Sequence, residues 1–185
     1  IIFMGTPEFA VPILKKIYDS EHTIKEVYTK PPKKKNRGQK LEISPINKFC
    51  EDNKIKVRIP TSINELECDH IKKINPDVVV VVAYGLILPK ELLNTTNIRF
   101  INIHASLLPK WRGAAPIQRA IMNLDQETGI SIMKIVPKLD AGPVMMKSKI
   151  KIFKDTNYTE LSKQMSDLAS KMIVETLTIL ENNEE

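Results

Sequence analysis

The sequence predicts an α/β fold with a doubly wound, mostly parallel sheet. Two observations lead to this prediction. Short apolar runs of strand length alternate with segments of helical periodicity along most of the 185 residues. The most apolar run, at residues 77–83, is nearly continuous in valine, which is typical of a strand buried on both faces. We therefore expect this run at the centre of the sheet.

The individual elements follow from local patterns. The first four residues are apolar and end at Gly5, so they form a buried first strand. We expect Thr6 to cap the next helix, with Pro7 at its first position. By the same criteria, the remaining strands lie at 24–29, 55–59, 77–83, 100–104, 129–136 and 144–153, the remaining helices at 44–50, 63–74, 115–123 and 158–180, and a loop at 30–40. This succession is Rossmann-like.

Three segments that are remote in sequence end predicted strands. They are Gly5, residues 83–85 and His104. In open α/β sheets, ligands bind outside the carboxyl ends of the strands. We therefore expect these segments to meet at one edge of the sheet.

Composition limits the class of protein. A hydrophobic fraction of 42% is sufficient for the core of one domain. No apolar run approaches the roughly 20 residues of a membrane span, so we expect a cytoplasmic protein without a membrane partner. Cys50 and Cys68 have no metal-like spacing and are expected to be reduced. No exposed apolar stripe stands out, and a monomer is expected.

The net charge of +6 comes entirely from the first third of the chain. Residues 1–60 hold 13 Lys and Arg against 7 Asp and Glu, whereas the remainder holds 15 of each class. Residues 30–40 alone carry six cations and no acid. Such a run is usually a solvated loop. Because Arg37 lies between Asn36 and Gly38, the loop is also suited to a sugar-phosphate backbone.

The candidate chemistry lies in residues 102–109 and at Asp140. Asn102 and His104 have i, i+2 spacing, so both side chains lie on one face of an extended chain. An amide can donate to a developing oxyanion, an imidazole can polarise or transfer a proton, and a carboxylate can orient the imidazole. This set suits direct transfer of an acyl group to an amine. The alternative is a pair of hydrogen-bonded polar residues at a strand end.

Several other sites are disfavoured. No glycine-rich dinucleotide fingerprint follows the first strand, and no Walker loop is found. His22 and His70 are far from His104 in sequence and are expected to be solvated, so no metal site is expected. Trp111, between two cations just after the candidate strand, is expected at the rim of the site.

Three motifs carry a resemblance to a known family. They are GTPEFAVP at residues 5–12, AYGLILP at residues 83–89, and the run at residues 102–118 that contains SLLP and WRGAAPIQ. With these motifs, the chain closely resembles the methionyl-tRNA formyltransferase family, from its first residue to about residue 180.

The resemblance implies a reaction and a set of functional residues. The donor is 10-formyltetrahydrofolate, and the acceptor is the α-amino group of methionine on initiator tRNA, for translation initiation. The implied catalytic residues are Asn102, His104 and Asp140. The implied folate-binding residues are Leu86, Ile87, Leu88, Ser106, Leu107, Leu108, Pro109, Leu139, Ala141 and Gly142. The implied tRNA-binding residues are Lys33, Lys34, Lys35, Arg37 and Lys40.

The resemblance also implies a domain boundary. Residues 1–180 match the catalytic domain, and residues 181–185 match the start of a linker to a C-terminal β-barrel domain that this chain lacks. Three alternatives remain open. The first is a folate-dependent formyltransferase acting on a small amine, such as a phosphoribosyl glycinamide or an amino sugar. The second is a deformylating hydrolase, and the third is a non-catalytic RNA- or nucleotide-binding protein.

Overall fold

A computed structural model describes residues 1–35 and 40–182. Within this part of the chain, the strands are β1 Ile2–Gly5, β2 Glu26–Tyr28, β3 Lys33–Lys35, β4 Lys40–Glu42, β5 Val57–Arg58, β6 Val78–Val82, β7 Arg99–His104, β8 Glu127–Lys134 and β9 Val144–Lys151. The helices are α1 Val11–Tyr18, α2 Pro45–Asp52, α3 Glu65–Ile74, α4 Lys90–Leu93, α5 Pro116–Met122 and α6 Tyr158–Asn182.

Seven of these strands form one sheet in the order β5-β2-β1-β6-β7-β8-β9. The five strands β5, β2, β1, β6 and β7 are parallel to one another, while β8 and β9 are antiparallel to their neighbours. The predicted α/β, mostly parallel sheet is confirmed, and the valine-rich β6 lies at its centre. The chain runs outwards in opposite directions from β1 and β6, so the switch point lies between them.

Helices cover both faces of the sheet. Strand residues such as Val80 and Ile103 pack against α1, α2 and α6 on one face, and the most deeply buried part of α6 centres on Met165 and Ala169. On the other face, Val79 and Phe100 pack against α3 and α4. At the carboxyl end of β7, Asn102 and His104 line a cavity.

Some local predictions are wrong. Thr6 does not cap a helix, because its hydroxyl donates to the carbonyl of Tyr84 at 3.0 Å and joins the ends of β1 and β6. A 3-10 turn at Glu8–Ala10 comes first, and α1 begins only at Val11. The expected loop at residues 30–40 contains β3 and the first residue of β4, which pair as an antiparallel ribbon. The short helix α4 was not predicted.

The outer segments also differ from the sequence-based expectations. His70 is not simply solvated, because its Nε2 atom lies 2.8 Å from the buried carboxylate of Glu26. Cys50 and Cys68 are both buried. Helix α6 continues to Asn182, past the expected end of this helix at residue 180. No helix among the described residues is long and apolar enough to cross a membrane.

Candidate active site

A large cavity lies at the carboxyl edge of the sheet. Its volume is about 1260 Å³, and its wall combines residues that follow β1, β6 and β7 with the start of α6. Pro7 and Glu8, residues 83–88 and His104 all line it. The predicted meeting of these remote strand ends is therefore confirmed. The physical reason is the shared direction of β1, β6 and β7, which brings their carboxyl ends to one edge.

Asn102, His104 and Asp140 meet in this cavity. Asn102 and His104 share one face of β7, while Ile103 between them points into the opposite core. Asp140 lies in the turn between β8 and β9, with a positive φ of 45°. One carboxylate oxygen, Oδ1, is 3.5 Å from the Asn102 Nδ2 atom, and the other, Oδ2, is 3.6 Å from His104 Nδ1. The three side chains thus converge although Asp140 is remote in sequence.

The loop after β7 orients the two titratable groups. The Nε2 atom of His104 lies 2.8 Å from the carbonyl oxygen of Trp111. Because a carbonyl only accepts, Nε2 carries the hydrogen, and Nδ1 faces Asp140. The backbone N–H of Gly113 donates to Asp140 Oδ2 at 2.7 Å. His104 and Asp140 are each about nine-tenths buried, so water competes little for these bonds.

The SLLP segment is built into this loop. The Ser106 hydroxyl donates to the carbonyl of Lys110 at 2.5 Å, and the Leu108 N–H donates to the Ser131 hydroxyl at 3.0 Å. Ser131 in turn donates to the carbonyl of Ser106 at 2.7 Å, and Lys147 donates to that of Leu108. The peptide bond between Leu108 and Pro109 is cis. The segment is therefore tied to β8 and β9.

The predicted folate-binding residues are distributed unevenly. Leu86, Ile87, Leu88 and Leu139 line the cavity. Residues 106–109 are not part of its lining; they belong to the loop that carries Trp111, and Ser106 is fully buried. Ala141 and Gly142 form the turn that follows Asp140, outside the cavity wall.

The predicted tRNA-binding cations lie on the β3–β4 ribbon. Lys33, Lys34 and Lys35 form β3, and Lys40 begins β4 opposite Lys35. Lys33 is exposed. Arg37 lies outside the described residues.

Sequence reasoning missed several parts of the site. Trp111 is not at the rim as expected; its indole N–H donates to Asp125 at 2.7 Å, and only its carbonyl reaches the functional pair. The contribution of Gly113 is a backbone amide, which no side-chain motif reveals. Within residues 1–35 and 40–182, no group of three His, Cys, Asp or Glu side chains is arranged to hold a metal ion.

Curated relatives of this chain are known from bacteria. It is 56% identical over 177 residues to the methionyl-tRNA formyltransferase of Pelagibacter ubique, a match that covers 95% of this chain and 57% of that protein. It is 45% identical over 185 residues to the enzyme of the same name from Coxiella burnetii, covering 100% of this chain and 59% of that protein. The chain therefore spans less than two thirds of the length of these relatives.

Solved structures show a likeness of fold. A phosphoribosylglycinamide formyltransferase from Anaplasma phagocytophilum aligns with a TM-score of 0.77 at 18% identity, over 98% of this chain and 86% of that chain. WlaRD, a sugar 3N-formyl transferase solved in the presence of dTDP and 5-N-formyl-THF, aligns with a TM-score of 0.73 at 20% identity, over 98% and 62% of the two chains. Residues 1–177 match the family described as formyl transferase. The chain belongs to the formyl transferase family.

Proposed function

We propose that this chain transfers the formyl group of 10-formyltetrahydrofolate to the α-amino group of methionyl initiator tRNA, in the cytoplasm, for the initiation of protein synthesis. The observation that carries the proposal is the convergence of Asn102, His104 and Asp140 in one cavity. The names of relatives at 45–56% identity support the choice of acceptor.

The three side chains suit the chemistry of direct formyl transfer. The acceptor amine attacks the formyl carbon, a new C–N bond forms, and negative charge develops on the formyl oxygen. Asn102 has an amide donor for that oxygen, and protonated His104 supplies a second donor beside the carboxylate of Asp140. Catalytic hydrogen bonds often tighten only when the substrates are bound, so the 3.5–3.6 Å separations between these groups are compatible with this role.

The proton balance assigns a role to Asp140. Collapse of the tetrahedral adduct breaks the bond between the formyl carbon and N10 of the donor, and N10 leaves with a proton. The amine loses one proton as it becomes an amide. We assign Asp140 to accept the amine proton through water, since its carboxylate is held beside His104 by the Gly113 amide. The same proton then passes through water to N10, which regenerates the carboxylate and leaves no net change in protons on the protein. No covalent enzyme intermediate is needed, and no residue is required as a nucleophile.

The cavity is suited to two ligands. Its volume of about 1260 Å³ exceeds the roughly 300–1,000 Å³ of a typical pocket for one small molecule. Leu86, Leu88 and Leu139 contribute apolar lining, which fits a pterin ring held through neighbouring backbone groups. The start of α6 and residues 7–9 also line the cavity, and we assign this part to the methionyl end of the acceptor.

The β3–β4 ribbon is suited to the acceptor arm of tRNA. It follows β2 in the chain, and its two paired strands include Lys33, Lys34, Lys35 and Lys40. Clustered lysines bind phosphates as point charges, and a contact of this kind is sensitive to salt. This ribbon separates the proposed reaction from transfer to a small amine, which needs no such surface.

The test is formyl transfer by this 185-residue chain. Purified protein is mixed with 10-formyltetrahydrofolate and methionyl initiator tRNA, with His104→Ala as the inactive control. Lys171→Ala, at an exposed position of α6 outside the cavity, controls for a surface change. We expect product that depends on His104. Folate binding without transfer to tRNA, but with transfer to phosphoribosyl glycinamide or an amino sugar, would identify a small-amine enzyme. Failure to bind any folate would favour a non-catalytic protein, and release of free formate would favour a hydrolase.

A further inference from the structure

One loop contacts both members of the His104–Asp140 pair. The carbonyl of Trp111 accepts from His104 Nε2 at 2.8 Å, and the amide of Gly113 donates to Asp140 Oδ2 at 2.7 Å. The relative orientation of imidazole and carboxylate therefore depends on where this short stretch of backbone lies. We call residues 110–113 the anchor loop.

The anchor loop has no regular secondary structure to hold its shape. Trp111 and Gly113 have φ values of 58° and 85°, both in the left-handed region. A non-glycine residue remains in this region when its surroundings hold it there. The indole of Trp111 is partly buried, so the contacts of this ring are the natural source of the restraint.

Asp125 supplies that restraint. Its Oδ2 atom accepts from the Trp111 indole N–H at 2.7 Å, and its Oδ1 atom accepts from Lys110 Nζ at 2.8 Å and from Asn123 Nδ2 at 2.7 Å. The Asp125 side chain is only 5% exposed. Burial alone would raise the pKa of Asp125, but the bonds from Lys110, Asn123 and Trp111 outweigh it, and the pKa lies below its ordinary value. The group is thus a carboxylate at neutral pH and can accept all three bonds.

We propose that Asp125 is a positioning residue for the formyl-transfer site, because it fixes the anchor loop whose backbone orients His104 and Asp140. The proposal rests on the function proposed above. Asp125 does not line the cavity and has no contact with the reacting groups. It acts through Trp111. The Asp125 carboxylate accepts a hydrogen bond from the indole of this residue, and the carbonyl of the same residue accepts one from the His104 imidazole.

The experiment compares Asp125→Asn with Glu127→Gln. Glu127 is two residues away and also binds a lysine, Lys149, at 2.8 Å, but both partners are exposed and neither touches the anchor loop. Trp111 is the only tryptophan in the chain, so its fluorescence reports directly on the loop. The three histidines give few imidazole ¹⁵N signals, and those of His104 are assigned by their loss in His104→Gln.

We expect Asp125→Asn to change the Trp111 emission and to shift the His104 Nε2 signal, because the hydrogen bond from Nε2 to the Trp111 carbonyl is weakened. The kcat should fall by about 10- to 100-fold, the usual cost of removing a partner that orients a functional histidine in metal sites, while folate affinity is retained. Glu127→Gln should match the wild type in every measurement. Trp111→Phe keeps the carboxylate but removes the indole donor, so it should reproduce the same changes, and the double variant should add little to either single one.

Unchanged His104 signals and kcat in both folded variants would overturn the proposal, because Asp125 would then stabilise the loop without orienting the site. If Asp125→Asn does not fold, Trp111→Phe decides between the same two outcomes. If the wild type transfers no formyl group, the proposed function fails. The ¹⁵N signals of His104 still test the positioning role in that case, because they do not depend on turnover.

Discussion

Replacement of Gly142 by alanine should damage the site without touching any functional side chain. The backbone of Gly142 passes so close to β8 that an added Cβ atom would lie 1.9 Å from the carbonyl oxygen of Lys134. Ordinary contact begins at 3.4 Å, so one segment must move by about 1.5 Å, the difference between the two distances. Both partners are backbone, and no side-chain rotation relieves the clash.

The displacement should pass to Asp140. Lys134 is held in β8 and its N–H also donates to the carbonyl of Pro143 at 2.9 Å, so the turn is the more mobile partner. Asp140 lies two residues before Gly142, and a shift of this size would break its 2.7 Å bond with the Gly113 amide. A misplacement of about 1 Å can cost about 100-fold in rate, and overpacking of this kind typically costs about 1–3 kcal/mol of stability.

The assay measures formyl transfer, folate binding and thermal unfolding of Gly142→Ala beside Pro143→Ala. Pro143 is the exposed neighbour, and its replacement by alanine keeps the carbonyl that accepts from Lys134. We expect about a 100-fold loss of kcat/KM and a lower Tm for Gly142→Ala, and little change for Pro143→Ala. Wild-type rate and Tm in Gly142→Ala would refute the reasoning, since the turn would then accommodate a side chain.

Three further predictions concern charge and hydrogen bonding. Asn102→Ala should lower kcat by about 10²–10³-fold through loss of the oxyanion donor; an equal loss of folate affinity would contradict this role. Arg37→Ala should weaken tRNA use and reduce the salt slope of tRNA binding by about 1 without affecting folate binding, measured by titration at several salt concentrations. The bonds from Arg58 lower the pKa of Glu67 in the folded state, so their stabilisation is present above the ordinary pKa and is lost as the pH falls through the folded value. Glu67→Gln should therefore lower the free energy of unfolding by about 1–2 kcal/mol at pH 7, a modest value because a third of the Arg58 side chain is exposed. Urea unfolding should show the stability difference between wild type and variant shrinking below pH 4.5, the ordinary pKa of the carboxyl group.

The predictable part of the site lies on single elements. The period of a strand puts Asn102 and His104 on one face of β7, and the apolar character of residues 77–83 identifies the central strand. The rule for parallel sheets then locates the edge where the cavity forms. These inferences need only local periodicity and the shared direction of the strands.

Local patterns failed where a side chain had a distant partner. Thr6 has the composition of a helix cap, but its hydroxyl bonds to Tyr84, 78 positions later. His70 reads as a surface residue on α3, but the fold brings it against the buried Glu26 of β2. In both cases the partner lies in a remote segment of the chain, so periodicity along one segment contains no information about the contact.

Sequence patterns alone therefore establish the α/β class, the central strand and the shared face of Asn102 and His104, because each depends on neighbours within a few residues. The tertiary fold determines the orientation of the site. The bond between the Trp111 carbonyl and His104 depends on a left-handed backbone at Trp111. The bond from the indole to Asp125 depends on contact between the segment that follows α5 and the loop that follows β7. Such contacts join segments whose proximity arises only when the sheet and its helices have packed together.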